Sequence, residues 1–124
     1  QDYKILLING TALNIEPSRS ATFYATEIAK NNNIDIVLDL DFRADQWHDY
    51  RAFGLTIRAI LSKVKIAIGT EEEILATTMS SSSQVTIKDQ QISAPEITGN
   101  IDKSIEQLLG LGIEIYAIFA NPKK

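Results

Sequence analysis

Ile34-Asp35-Ile36-Val37-Leu38-Asp39-Leu40, continued by Asp41-Phe42-Arg43, is the stretch whose reading decides the fold of this chain. Its centre is aliphatic and β-branched, without regular polar alternation, as in a strand buried on both faces of a parallel sheet. Its far end turns polar and charged. In open parallel sheets ligands bind beyond the carboxyl ends of the strands, so the same stretch marks the first place to look for chemistry.

The flanking sequence repeats the pattern. Upstream, Ile5-Leu6-Leu7-Ile8 is a wholly apolar run ended by Asn9-Gly10, which predicts a first strand. Pro17-Ser18 then opens a helix whose apolar stripe is Phe23, Ile28 and the alanines at 21, 25 and 29, and Asn31-Asn32-Asn33 breaks it. Downstream, a helix is predicted from about Gln46 to Ser62, with Phe53, Ile57, Ile60 and Leu61 inward. Gly54 weakens that helix by roughly 1 kcal/mol relative to alanine. Lys65-Ile66-Ala67-Ile68-Gly69 reads as a third strand, and Thr70-Glu71-Glu72-Glu73 opens a short helix. Residues 77–96, with the serine run Ser80–Ser83, read as loop around a brief strand at Val85-Thr86-Ile87. A last helix over about Asn100 to Leu111 turns Ile101, Ile105, Leu108 and Leu109 inward. Gly112 then leads into a fourth strand, Ile113 to Phe119. Strands alternating with helices predict an α/β domain of three layers: a parallel sheet of about four strands with helices on both faces. No internal repeat and no linker interrupts residues 1–124, which read as a single domain.

Composition narrows the function. A chain of 124 residues with 44% hydrophobic and 23% charged residues builds a core without staples. It has no cysteine and one histidine, which excludes disulfides, thiolate metal sites, a cysteine nucleophile and multi-histidine zinc sites. The net charge of −4 and the lack of Lys/Arg blocks argue against a nucleic-acid partner. No apolar run has the length of a signal peptide or membrane span, so a cytoplasmic protein without a membrane partner is expected. The start at Gln1 without Met suggests a processed chain or a piece of a longer one.

Asp39 and Asp41 lie two apart at a strand end and share a face, with Arg43 next in the row if the chain stays extended. Asp41 suits hydroxyl hydrogen bonds, and Arg43 suits a carboxylate or phosphate held by two parallel bonds. Thr70 and Glu73 have the spacing of a capping box, and acids in a first turn suit the helix dipole. The functional alternative makes Glu73 a carboxylate that organises metal-bound water near a phosphate, since Mg²⁺ keeps several of its waters. Trp47 reads as a wedge between helix and sheet, and His48 as a surface residue. Gly110-Leu111-Gly112 reads as a helix stop rather than a phosphate loop.

Gly10-Thr11-Ala12-Leu13, Pro17-Ser18-Arg19, Asp39-Leu40-Asp41-Phe42-Arg43 with Trp47, and Ile68-Gly69-Thr70-Glu71-Glu72-Glu73 resemble, in order and spacing, the middle of a ribokinase-like (PfkB-type) carbohydrate kinase. The likeness is dense over residues 3–76 and is closest to members acting on keto-deoxy sugar acids, such as 5-dehydro-2-deoxygluconate of inositol catabolism or 2-keto-3-deoxygluconate. The resemblance implies transfer of the γ-phosphoryl group of ATP to a sugar-acid hydroxyl, with Mg²⁺. It places the grip on the substrate's acid end at Arg43, with Asp41 as its polar neighbour. The family's Asn-x-x-Glu element, which tunes Mg²⁺ and phosphate binding, falls on Thr70 to Glu73, with Thr in place of Asn. Lys65 and the Gly10-Thr11 turn become scaffold.

The departures are as informative. The family's Gly-Ala-Gly-Asp turn, an anion hole with its catalytic aspartate, occurs nowhere in this sequence. Neither does the glycine-rich region that completes the sugar pocket. No catalytic residue is therefore expected in this chain, no direct metal ligand either, and the chain alone is expected to be inactive. The central piece of such a sheet exposes edges, which invites self-association. Two alternatives stay open. Ile36-Val-Leu-Asp-Leu-Asp41 also fits the start of a haloacid-dehalogenase-like phosphatase using Asp39 and Asp41, though Phe42-Arg43 departs from its Gly-Thr sequel. The other is a non-catalytic ligand-binding module.

Overall fold

The computed structural model describes residues 3–79, 85–86, 96–97 and 99–118. Strands β1 (Ile5–Asn9), β2 (Asp35–Asp39), β3 (Ile66–Thr70) and β6 (Glu114–Ile118) form one parallel sheet in the order β1-β2-β3-β6. Helices α1 (Ser18–Asn31), α2 (Tyr50–Ile60), α3 (Glu71–Thr77) and α4 (Ile101–Leu109) connect them. A separate antiparallel ribbon pairs β4 (Val85–Thr86) with β5 (Glu96–Ile97). The predicted strand at Val85-Thr86 is present. Its partner β5 is not foreseen by the sequence, and the serine run and Ile87 lie outside the described residues.

The α/β class and the four-stranded parallel sheet follow the sequence expectation. The layering differs. Each strand is laid beside its predecessor, and right-handed crossovers in one direction carry every connecting helix to the same face. Ala29 of α1, Phe53, Ile57 and Ile60 of α2, Ile74 and Leu75 of α3 and Leu108 of α4 share one core with Ile8, Ile36, Leu38 and Ala67 of the strands. On the opposite face Ile5 and Leu7 are 55% and 67% exposed. Among the described residues the molecule therefore has two layers, not three, and β1 is buried on one face, not two. An apolar run records that a side chain tolerates cover; it does not record what supplies the cover.

Helix boundaries shift for local reasons. At α1 the Glu16 carboxylate accepts from the Ser20 N–H (3.1 Å) and hydroxyl (2.8 Å), which serves the helix start in place of a side-chain cap. Its inward side is Phe23, Thr26 and Ala29, while Ile28, predicted inward, is 44% exposed. Helix α2 starts later than predicted because Asp49 caps it, accepting from the Arg51 N–H at 2.9 Å, while Ala44–Gln46 form a separate 3-10 turn. Its predicted inward residues are all buried. Gly54 has a packing reason: a Cβ there would lie 2.8 Å from the Ala76 carbonyl oxygen, so glycine lets α2 approach α3. In α4 Asn100 caps the helix and Leu108 is buried, but Leu109 turns outward, 51% exposed.

Phe53 is the keystone of this core, fully buried, with ring centroids 4.7 Å from Phe42 and 5.4 Å from Trp47. Phe53→Ala should lower unfolding free energy by about 3–5 kcal/mol. Leu55→Ala, on the exposed side of the same helix, should change it by less than about 0.5 kcal/mol. Urea titration of both variants checks the contrast.

Candidate functional site at the β2 and β3 strand ends

Strands β2 and β3 run side by side, with Asp39 opposite Ile68. One more ladder bond, from the Leu40 N–H to the Ile68 carbonyl (2.9 Å), carries the pairing past the end of β2. The extended chain then stops: Asp41 has φ 44°, in the left-handed region that aspartate tolerates better than most residues. The single-face row Asp39-Asp41-Arg43 read from the sequence is thus broken at its middle member. The turn still joins two of the three, because the Arg43 Nε lies 3.1 Å from Asp41 Oδ1. Arg43 is exposed and Asp41 half-buried. The Asp41 bond uses only Nε, so the terminal nitrogens keep the forked geometry that suits a carboxylate or phosphate.

At the end of β3, Thr70 and Glu73 form the predicted capping box. The Thr70 hydroxyl accepts from the Glu73 N–H (3.2 Å), and Glu73 Oε1 accepts from the Thr70 N–H (3.0 Å). The sequence does not show what Glu73 Oε2 does: it accepts from the Phe42 N–H at 3.2 Å. One carboxylate therefore ties the head of α3 to the turn between Asp41 and Arg43. Gly69 makes room for it, since a Cβ there would sit 2.8 Å from Leu40 Cδ1 and 3.2 Å from Glu73 Oε1. The sequence reading places Gly69 in the strand-end motif but does not show this clearance, which depends on the approach of Leu40 and Glu73. Gly10 plays a similar part from β1, where a Cβ would collide with the Leu40 carbonyl oxygen.

The electrostatics follow from this crowding. Burial raises the Glu73 carboxyl above its ordinary value, and the neighbouring charges of Asp39 and Asp41 add to that against the lowering effect of the two backbone donors. Asp39 is also raised, by burial and by Asp41, with Arg43 opposing. The other candidates sit apart. Trp47 is buried against Phe53 as predicted, and among the described residues its Nε1 finds no acceptor. His48 is exposed. Lys65 pairs with Asp35 at 3.6 Å, toward the opposite end of the strands, consistent with scaffold.

Among the described residues no three His, Cys, Asp or Glu side chains come together as a direct metal site. Both oxygens of Glu73 accept from backbone N–H groups. The string Gly-Ala-Gly-Asp does not occur in the sequence. Among the described residues no helix is long and apolar enough to cross a membrane.

No family model matches the chain. A curated 5-dehydro-2-deoxygluconokinase of Mesomycoplasma hyopneumoniae is 39% identical over 74 residues, 60% of this chain and 22% of the relative. The enzyme of that name from Halalkalibacterium halodurans is 37% identical over 70 residues, 56% of this chain and 21% of the relative. The chain thus spans less than a quarter of these relatives' length. Among solved structures, the fructokinase of Vibrio cholerae O395 with fructose, ADP and calcium superposes with a TM-score of 0.70 at 19% identity, over 94% of this chain and 32% of its own. A PfkB family carbohydrate kinase from Listeria grayi follows at a TM-score of 0.64 and 18% identity, over the same shares of the two chains. The ribokinase-like resemblance read from the sequence holds, and the fold is that of a segment of such a kinase.

Because the fold raises the Glu73 value, the folded protein holds this proton more tightly than the unfolded chain. The stability contributed by that proton is fully present below the unfolded value near 4.5 and is lost as pH climbs through the raised folded value. Glu73→Gln abolishes this titration, so the stability difference, wild type minus variant, should decline as pH rises from 4 toward neutral. Urea midpoints of both proteins across that range check it; a flat difference would show that burial and the two aspartates do not govern Glu73.

Proposed function

We propose that this chain is part of an ATP-dependent carbohydrate kinase that phosphorylates a keto-deoxy sugar acid in the cytoplasm, with 5-dehydro-2-deoxygluconate favoured and 2-keto-3-deoxygluconate next. The observation that carries the reading is the Glu73 carboxylate joining the two strand ends: it fixes the Asp41–Arg43 pair beside the first turn of α3. The names of the curated relatives support the substrate class, and the ADP in the Vibrio cholerae fructokinase supports a nucleotide donor.

In this reading Arg43 receives the substrate carboxylate on its terminal nitrogens, and Asp41 holds the guanidinium by Nε while accepting from a substrate hydroxyl. Glu73, with Thr70 fixing its backbone, orients the water shell of Mg²⁺ from its remaining lone pairs. Binding of ATP, the anion hole and the base for the sugar hydroxyl belong to sequence that this chain does not contain. Among the alternatives, the phosphatase would need Asp41 as a mobile acid, and the structure engages it with Arg43.

In a kinase that carries this segment, Arg43→Ala should lower kcat/KM for the sugar acid about ten- to hundredfold, as expected for loss of a charge-assisted bond of about 1.5–3 kcal/mol, with the KM for ATP unchanged. Equal loss on a neutral sugar would remove the carboxylate role. The 124-residue chain itself, incubated with Mg-ATP and either sugar acid, should release no ADP above the enzyme-free control. Turnover would show that a residue assigned here to scaffold is catalytic, and hydrolysis of a generic phosphate ester would favour the phosphatase.

A further inference from the structure

Leu40 precedes the left-handed turn at Asp41, and a glycine closes on it from each neighbouring strand. Gly10 follows β1, Gly69 lies in β3, and both are buried. The two contacts differ in kind. A Cβ at Gly69 would lie 2.8 Å from Leu40 Cδ1, the tip of a side chain that can rotate. A Cβ at Gly10 would collide with the Leu40 carbonyl oxygen and lie 3.0 Å from its carbon, and a carbonyl moves only with its planar peptide. Neither glycine has a positive φ, so Gly10 answers a need for space rather than for conformational freedom.

Both partners in this contact are held. Strand β1 pairs with β2 as far as Asn9 opposite Asp39, and Gly10 opens a 3-10 turn that buries Leu13. Leu40 is 1% exposed and donates its N–H to the Ile68 carbonyl at 2.9 Å. A methyl at Gly10 is therefore relieved at the free end of Leu40, by turning the peptide that joins it to Asp41. Asp41 sits at φ 44°, in a small allowed region, and passes that rotation on. The next N–H, of Phe42, bonds Glu73 Oε2 at 3.2 Å, and the next side chain, Arg43, bonds Asp41 through Nε at 3.1 Å. We propose that Gly10 is a positioning residue for Arg43: the space it leaves sets the turn at Asp41, and so the place of the guanidinium for a sugar-acid carboxylate. A misplacement of about 1 Å in such a contact can cost up to about a hundredfold in rate. The identity of the ligand rests on the kinase reading; the dependence of the turn on Gly10 does not.

Hydrogen exchange in the 124-residue chain tests the turn by itself. Gly10→Ala should speed exchange of the Phe42 amide at least about tenfold relative to the Lys65 amide, which bonds the Ile36 carbonyl at the other end of the strands. Gly54→Ala meets a backbone carbonyl between α2 and α3 instead, and should destabilise the chain without favouring exchange at Phe42. In a kinase that carries this segment, Gly10→Ala should raise KM for the sugar acid about tenfold and leave the KM for ATP unchanged. In an Arg43→Ala background it should add less than about twofold, since the two act as a unit. An unchanged Phe42 ratio, an equal gain in Gly54→Ala, or a full tenfold loss on top of Arg43→Ala would each overturn the proposal. If Arg43→Ala costs a neutral sugar as much as the acid, the ligand assignment falls with the kinase reading, and the exchange ratio still decides whether Gly10 sets the turn. If Gly10→Ala does not fold, adding Asp41→Gly should restore the fold, because glycine accepts the altered dihedrals. A double variant that stays unfolded overturns the proposal.

Discussion

The Glu73 carboxylate accepts from two backbone N–H groups on different segments, Thr70 at the end of β3 and Phe42 beyond the end of β2. Much else depends on that arrangement. The bond to Thr70 completes the box that starts α3, and α3 packs on α2 through the glycine gap at Gly54. The bond to Phe42 holds the chain just after its left-handed turn at Asp41, which brings Asp41 and Arg43 together. A carboxylate suits this post because it is acceptor-only and has an oxygen for each donor, whereas an amide would present its own N–H to one of them. The same burial that makes the bonds strong works against the charge, and two nearby aspartates add to the cost.

Beside that junction the aromatic side chains form a stiff support. Phe42 leaves the site turn and enters the core, where its ring meets Phe53 and Tyr50, while Trp47 closes over Phe53 edge-on. The backbone N–H of Phe42 serves the site and its side chain serves the core, so the position of Arg43 is coupled to the packing of α2. A polar group placed between a rigid core and solvent is held in one orientation at little entropic cost at the moment of binding.

The other face of the sheet shows a different condition. The chain matches most of its own length to solved carbohydrate kinases but only a third of theirs, and its relatives are longer still in proportion. Ile5 and Leu7 are strand residues of a kind that sheets bury, yet they face outward here. Exposed apolar area of this extent marks surfaces that meet something in the working protein. The helical face, by contrast, is filled by the chain's own four helices.

Much of this was legible in the sequence by itself: the alternation of apolar runs with amphipathic stretches, the inward side of α2 and the Thr70–Glu73 capping box. These are local properties, set by periodicity over a few residues and by side chains that bond their own backbone neighbours. Three matters were decided only by tertiary structure. The one-sided layering depends on strand order, which no single segment encodes. The broken row at Asp41 depends on the left-handed turn, and the Phe42–Glu73 bond joins residues 31 apart in sequence. The outward turn of Ile28 and Leu109 depends on which neighbours α1 and α4 meet, for an apolar stripe wider than the available core leaves its margin in solvent. Local chemistry specifies which elements form and what they carry; which side of each is covered is a property of the packed whole.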